Sequence, residues 1–506
     1  MKKLRLQILS FVLLVAAGCH SGAVVLPSSA DLPPPPPSQE GGNSVQGSTG
    51  GLSGNSAPTP PPIPSPSPLP SGAVASSLDN QFFIGSVSED SSSDLNFWRA
   101  YAANPNTTRQ IAARYIYING GFTGGWRTWG SADGDRAINY IRNSIAMGMM
   151  PFFVYYQIPG ANGEGYALDL SNIQSSTYLR DYFLDLKFFL DIVKREGGTK
   201  EVGIDLEPDF IGYMMQLGHL RPAQISAAVQ AAYASHVLDS SSDPAFPNTL
   251  AGLVQAINYT IRKYAPNARF GWEINLWASP GIHHEIPTSG LCRISDTLGI
   301  AAGKQAVRDE VKEIALYYKE AGILTNGAKW VFLDKYGLDG TGNYCSDPNH
   351  NPSACIWFWN SDHWNNYVTF IDELRIDLQF PVVLWQIPVG HLNNSTAINP
   401  ATGRTFPPLG DVVRSHEDSA PDFIFGDSFQ TSTTERFNYF GNVSDSKTTK
   451  SGNTITIGSH INELVQAGAV GVLFGAGVGI STDFDSDNNW WITKVQSYYR
   501  NPVRIP

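Results

Sequence analysis

Cysteine is scarce in this chain: four occur in 506 residues, and after Cys19 only Cys292, Cys345 and Cys355 remain. Cys345 and Cys355 are close enough to staple one loop in an oxidising compartment, with Cys292 left over and the pairing open. Positive charge is short as well. The 34 Lys and Arg stand against 45 Asp and Glu, a net charge of −11. A nucleic-acid partner requires a basic face, so this balance argues against one. Long apolar runs are missing: Leu6 to Ala17 is too short to cross a bilayer, and no later run is long enough. Metal-ligand spacing is missing too. His283-His284-Glu285 has no third ligand at helical spacing. Asp483-Phe484-Asp485-Ser486-Asp487 alternates acids like a calcium loop, but without glycine at its sixth position or an acid at its twelfth. No metal and no cofactor is expected.

The first segment reads as an address. Met1 to Arg5 is basic, the short apolar run follows, and it ends in Ala16-Ala17-Gly18-Cys19. This resembles a bacterial lipobox, departing from it by alanine three before the cysteine, and the resemblance implies cleavage and lipidation at Cys19. The alternative is an ordinary secretory signal with an incidental cysteine. The expected layout is a signal peptide over 1–19, a disordered Pro/Ser/Gly-rich linker over 20–78 and one large domain over 79–506. The chain would sit in the cell envelope, periplasmic or at the surface, touching the membrane through its lipid alone. Its oligomeric state stays open.

Beyond the linker, apolar strands alternate with helices. Strands are expected at Phe82–Ser86, Arg114–Asn119, Pro151–Ile158, from Val202, Arg269–Trp277, Trp330–Asp334, Val382–Ile387 and Val470–Gly475. Helices are expected at Asp135–Met147, Tyr178–Glu196, Leu250–Tyr264 and Lys304–Ala321. Eight βα units predict a parallel (β/α)8 TIM barrel with long loop insertions, with an open doubly wound sheet as the rival. Asp422 to Phe425 is also strand-like and is assigned to an insertion before the last strand.

The chemistry gathers at Glu201-Val202-Gly203-Ile204-Asp205-Leu206-Glu207-Pro208-Asp209. Strand residues alternate faces, so Gly203, Asp205 and Glu207 are expected to share the inside of the barrel, with Pro208 stopping the strand. Glu207 then stands at a carboxyl end, where barrel enzymes keep catalytic groups. Asp334, ending strand six, is the first choice for a second carboxyl group, and Glu273 is the next, on a polar face with Gly271, Asn275 and Trp277. Asp205 would tune Glu207. Asp209, Asn119, Gln157, Tyr336 and Gln386 lie at or just past strand ends and complete a candidate substrate groove. Asp339, Asp418 and Asp427 are loop candidates for the second carboxyl group, Asp339 also for the groove, with a solvated loop acid or a turn cap the better reading of each as a catalyst. The loops are rich in aromatic residues, including Trp126, Trp129 and Trp490. Pyranose faces stack on indoles while their hydroxyls need amides and carboxylates, so the expected ligand is a carbohydrate. Any one of these tryptophans can instead pack its loop onto the barrel.

Leu206-Glu207-Pro208-Asp209 is similar to the Asn-Glu-Pro strand ending of retaining barrel glycosidases, with Leu206 where they carry Asn. Together with Leu384-Trp385-Gln386-Ile387-Pro388 and Leu473-Phe474-Gly475-Ala476-Gly477, it resembles secreted bacterial glycosidase-like barrels. The resemblance implies a glycoside hydrolase with Glu207 as acid/base, and Asp334 is the partner expected from its place at the end of strand six. Leu206 and Gln386 leave room for a non-catalytic polysaccharide-binding lipoprotein, and an adhesion platform is a third reading. Gly426-Asp427-Ser428 resembles an esterase nucleophile block, but no Asp-x-x-His pair follows it.

Overall fold

The computed structural model describes residues 78, 80–102, 111–279, 290–335, 359–392, 418–431, 434–475 and 489–506, all within one compact unit. Cys19, Tyr336, Asp339, Cys345, Cys355, the His283 and Asp483 motifs and nearly all of the expected linker lie outside these residues.

Seven strands come first: β1 (Phe83–Val87), β2 (Ala113–Asn119), β3 (Met150–Tyr156), β4 (Val202–Leu206), β5 (Ala268–Ile274), β6 (Trp330–Asp334) and β7 (Val382–Ile387). Next come the short β8 (Asp427–Gln430), β9 (Thr448–Ser451) and β10 (Thr454–Ile457), and finally β11 (Ala469–Phe474). Strands β1 to β7 and β11 close a parallel barrel in the order β1-β11-β7-β6-β5-β4-β3-β2, and helices follow each of them. The chain is therefore a (β/α)8 barrel. Its strands are apolar on both faces because helices cover the outside while side chains fill the inside. Side-chain caps fix where several helices begin. Ser175 accepts from the Tyr178 amide ahead of helix Ser176–Gly197. Thr249 and Asn360 do the same for helices Leu250–Tyr264 and Ser361–Leu378.

The insertion after β7 differs from expectation. Asp422 to Phe425 is the end of a helix, Ala420–Phe425, with Pro421 in its first turn, where proline's missing N–H costs nothing. The strands of the insertion are β8 to β10, an antiparallel sheet, and the Gly-Asp-Ser sequence runs into β8. His460 ties this sheet to the helix. Its Nε2 lies 3.1 Å from Asp445 Oδ1, and its ring stacks on Phe423 at 3.8 Å.

The lower lumen is packed with aromatic rings. Phe152 stacks on Trp330 at 5.4 Å and on Phe83 at 6.2 Å. Glycines on neighbouring strands make the room: a Cβ on Gly203 would fall 2.2 Å from the Phe152 ring, and one on Gly471 2.3 Å from Phe83. Gly203→Ala should therefore destabilise the barrel by about 1–3 kcal/mol. Gly124→Ala, whose Cβ would meet nothing within 4 Å, should leave the melting temperature nearly unchanged. Equal melting temperatures for both variants would refute this packing.

Candidate active site

Register determines which side chains enter the upper lumen. Tyr115 pairs with Phe152, and Phe152 with Gly203. Asp205 pairs with Gly271, Gly271 with Trp330, Glu273 with Phe332, and Asp334 with Trp385. Neighbours in a parallel register point the same way, so Tyr115, Tyr117, Asp205, Glu273, Asp334 and Trp385 stand above the aromatic floor. The three acids are 1%, 2% and 5% exposed in that order.

Burial dominates the chemistry of Asp205. It holds the carboxyl well above the ordinary carboxylate range, opposed only by the Leu206 amide, whose geometry falls short of a hydrogen bond, and both carboxyl oxygens are without a bonded partner. Tyr115 Oη is buried and also without one. Burial, then Asp334 and Asp205, push its phenol far up, so both acids act on one hydroxyl.

Further groups join at the rim. Asp209 has φ +67°. Its N–H donates to Glu273 Oε2 at 3.2 Å, and its Oδ1 accepts from Asn275 Nδ2 at 2.8 Å. Tyr318 Oη donates to Asn275 Oδ1 at 3.3 Å. Trp277 is half-buried, its ring 4.9 Å from Tyr213. Gln386 sits at φ +54° beside a register shift between β11 and β7, and its Nε2 donates to Tyr117 Oη at 3.1 Å. The barrel thus brings together Asp205, Asp209, Glu273, Asn275, Asp334 and Gln386, with Tyr115, Tyr117 and Tyr318 as members that sequence reasoning missed.

Glu207 departs from the expected alternation. It has φ +47°, in the left-handed region that turns the chain out of the strand, and its carboxylate faces the helix side of the wall. Oε2 accepts from the Gln157 and Ile158 amides at 2.9 and 2.8 Å. Oε1 accepts from Tyr182 Oη, on helix Ser176–Gly197, at 2.8 Å. Burial raises its pKa to about 8 against these three donors, and the charged neighbour that adds to the rise is Asp185 rather than Asp205 or Asp334. Asp185 is the centre of the helix-side network. It accepts from Tyr155 Oη at 2.9 Å, Trp126 Nε1 at 3.2 Å and Gln157 Nε2 at 3.3 Å. Trp126 is fully buried there, so it packs its loop and offers no face to a sugar. Gln157 is likewise buried and spent on this network. A charge one helical turn from Tyr182, inside the stripe Leu179, Phe183, Leu186 and Phe189, was the sequence signal for Asp185.

The remaining candidates are scattered. Trp129 is half-buried with the Arg136 guanidinium 4.7 Å over its ring. Trp490 donates to Asp427 Oδ2 at 3.0 Å and stacks on His391 at 4.5 Å. Asn119 is half-buried at the end of β2. Asp418 caps helix Ala420–Phe425, accepting from the Ala420 amide at 2.8 Å, and Asp427 pairs with Lys494 at 2.9 Å. Among the described residues, no group of three or more His, Cys, Asp or Glu is placed to hold a metal ion.

No known protein-family profile matches the sequence, and no curated protein matches it. Solved structures similar to this chain include an endo-1,4-β-D-mannanase from Thermotoga petrophila, 12% identical over 83% of this chain and 99% of that one, at a TM-score of 0.39. A β-amylase catalytic domain from Paenibacillus polymyxa is 8% identical over 83% and 98%, at 0.36. A chitinase from Rhizomucor miehei is 9% identical over 83% and 100%, at 0.35. These neighbours are glycoside hydrolases, and likeness at this level says nothing about the chemistry of this chain.

One more buried acid borders the site. Asp169, on helix Tyr166–Gln174, is 1% exposed with neither oxygen hydrogen-bonded. Burial, then Glu207, Asp209 and Glu164, raise its pKa to about 8. In the unfolded chain Asp169 and Glu207 titrate near 3.8 and 4.5, so between these values and about 8 the folded state binds more protons. Stability should then fall as pH rises through that window and level off above it. The fall should amount to a few kcal/mol, since each tenfold gain in proton affinity on folding is worth about 1.4 kcal/mol. Thermal melts from pH 5 to 8 should show a declining melting temperature, and Asp169→Asn should flatten the decline. A melting temperature that climbs over this range would contradict the assignment.

Proposed function

We propose that the chain is a glycoside hydrolase acting on a polysaccharide or oligosaccharide, with Asp205 and Asp334 as its carboxyl pair. The observation that carries this reading is a carboxyl group at the carboxyl end of β4 that is buried with neither oxygen hydrogen-bonded, its pKa raised by that burial, and that acts with Asp334 on the same tyrosine hydroxyl. A glycosidase needs one protonated acid to give its proton to the leaving oxygen as the C–O bond breaks. It also needs one carboxylate to attack the anomeric carbon or to take a proton from the attacking water. Asp205 suits the first role and Asp334 the second. The half-buried Trp277 supplies a stacking face and Gln386, at the end of β7, an amide for hydroxyls, while the buried Asn275, bonded to Asp209 and Tyr318, holds the rim in place. Glu207, satisfied by three donors, positions the end of β4 against β3.

Asp205→Asn and Asp334→Asn should each lower reducing-sugar release by about 10²–10⁴-fold with the fold intact. Glu207→Gln should instead lower the melting temperature and leave most turnover. If Glu207→Gln abolishes turnover at unchanged melting temperature while Asp205→Asn does not, the acid is Glu207. A second reading, a polysaccharide-binding lipoprotein, is favoured by the amide of Gln386 at the end of β7. It becomes the better one if glycans bind and none is cleaved.

We also propose that the chain is exported and held in the envelope by lipid on Cys19, since the short apolar run ends in a lipobox-like Ala-Ala-Gly-Cys and its cleavage would leave the lipid as the anchor. Cys19→Ser should release a folded protein from membranes, and a variant that stays with the membrane after a salt wash would refute the anchor.

A further inference from the structure

The mouth is not evenly charged. On the β3 to β5 side a shelf is formed by the half-buried rings of Tyr156, Tyr213 and Trp277, the half-buried Asp209 and the exposed Glu164. Tyr156 Oη donates to Glu164 Oε2 at 2.9 Å, which sets that carboxylate beside the aromatic faces. Beneath the shelf lies Asp169, nine-tenths buried and more, both oxygens without a hydrogen bond. Its ionisable neighbours are Glu207, Asp209 and Glu164. The groups that act on Tyr156 are Asp209, Glu164, Tyr213 and Asp169, and those acting on Tyr318 are Glu273, Asp209 and Tyr317. Apart from the Asn275 backbone amide beside Tyr318, every one of these is an acid or a phenol. A neutral sugar needs donors as well as acceptors around its hydroxyls, whereas this shelf presents carboxylates toward one region and leaves a buried carboxyl unbonded, at a cost in stability. A ligand that brings a cation answers Asp209 and Glu164 with its N–H donors and favours the ionised form of the buried Asp169 by its charge, and an ammonium group carries three such donors.

We propose that this shelf is a subsite for a sugar residue bearing a free, unacetylated amino group. The inference rests on the carbohydrate reading above and narrows it. The ring lies on Trp277 and Tyr213, and the ammonium group points to Asp209 and Glu164 with Asp169 behind them. An acetylated nitrogen loses both the charge and two of its N–H donors, so the subsite discriminates by acetylation rather than by ring stereochemistry.

The test measures, on the full chain and by calorimetry, the affinities of three probes: a glucosamine hexamer, an N-acetylglucosamine hexamer and cellohexaose. Hydrolysis of each is recorded separately. The glucosamine hexamer should bind about three- to tenfold more tightly than the other two in low salt, and the advantage should shrink as salt is added. Asp169→Asn and Glu164→Gln should each reduce that ratio. Glu313→Gln, an exposed acid on helix Ile300–Ala321 that is not among the groups acting on Asp169, Tyr156 or Tyr318, should not. Equal affinities for the three probes overturn the amino-sugar subsite even if one of them is cleaved. A ratio that falls as much with Glu313→Gln also overturns it, since the preference would then be the attraction of a net negative protein. A glucosamine preference that depends on Asp169 and Glu164, without cleavage of any probe, upholds the subsite and sinks the hydrolase reading instead.

Discussion

Closure of the barrel is the constraint from which the rest follows. Once eight parallel strands join edge to edge, every second side chain must enter a lumen that holds little water. In its lower part this is met with rings: Phe83, Phe152 and Trp330 fill the space that Gly203 and Gly471 leave open. In its upper part the same alternation delivers Asp205, Glu273 and Asp334. Carboxyl groups forced into such a place are cheaper neutral than charged. The raised pKa of Asp205 is therefore a consequence of strand parity and closure, before any particular partner is considered.

The site is made where this alternation is broken. Glu207, Asp209 and Gln386 all have positive φ, a state that costs a side-chain-bearing residue of order 1–3 kcal/mol unless its surroundings hold it there. At Glu207 the surroundings are visible. Two amides at the end of β3 and the Tyr182 hydroxyl receive its carboxylate, while its own N–H donates to the Tyr155 carbonyl at 2.8 Å. Turning Glu207 outward lets the chain swing back so that Asp209 meets Glu273 and Asn275. At Gln386 the register shift against β11 brings an amide toward Tyr117 across the mouth. Two local departures thus convert a packed lumen into one with a polar rim.

Much of this architecture was legible beforehand. All eight barrel strands and the helices Asp135–Ala146, Leu250–Tyr264 and Ile300–Ala321 come from hydrophobic periodicity, which burial on both faces of a sheet enforces. Asp205, Glu273 and Asp334 were placed by parity, and parity served as long as the strand continued. It failed at Glu207 because a left-handed residue followed by proline carries no signature in an alternation count. It failed for Trp126 because a Gly-rich loop does not disclose that the indole N–H will find Asp185 rather than solvent. Asp422 was misread because five apolar or neutral residues around Pro421 suit a short helix as well as a strand. Asp169 escaped notice because its helix is short and its partners come from separate segments of the chain, Glu164 from one and Glu207 and Asp209 from another.

Burial that endangers the fold also prepares the chemistry. Each tenfold gain in an acid's proton affinity on folding represents about 1.4 kcal/mol by which its ionised form weakens the folded state. Asp205, Asp169 and Glu207 all have raised pKa values, Asp169 and Glu207 to about 8, and their number is larger than stability alone would select. Glu207 offsets part of that cost by receiving three donors, but Asp205 and Asp169 have no hydrogen bond to lose, so their presence around one barrel mouth calls for a use of the proton or of the charge. An acid already protonated at neutral pH can donate without first being loaded. An unpaired carboxyl beneath an aromatic shelf gains most from a ligand that brings its own cation. Both uses draw on the same low-dielectric mouth, which is why the proposed proton donor and the proposed amino-sugar subsite lie around one barrel mouth rather than at separate places on the molecule.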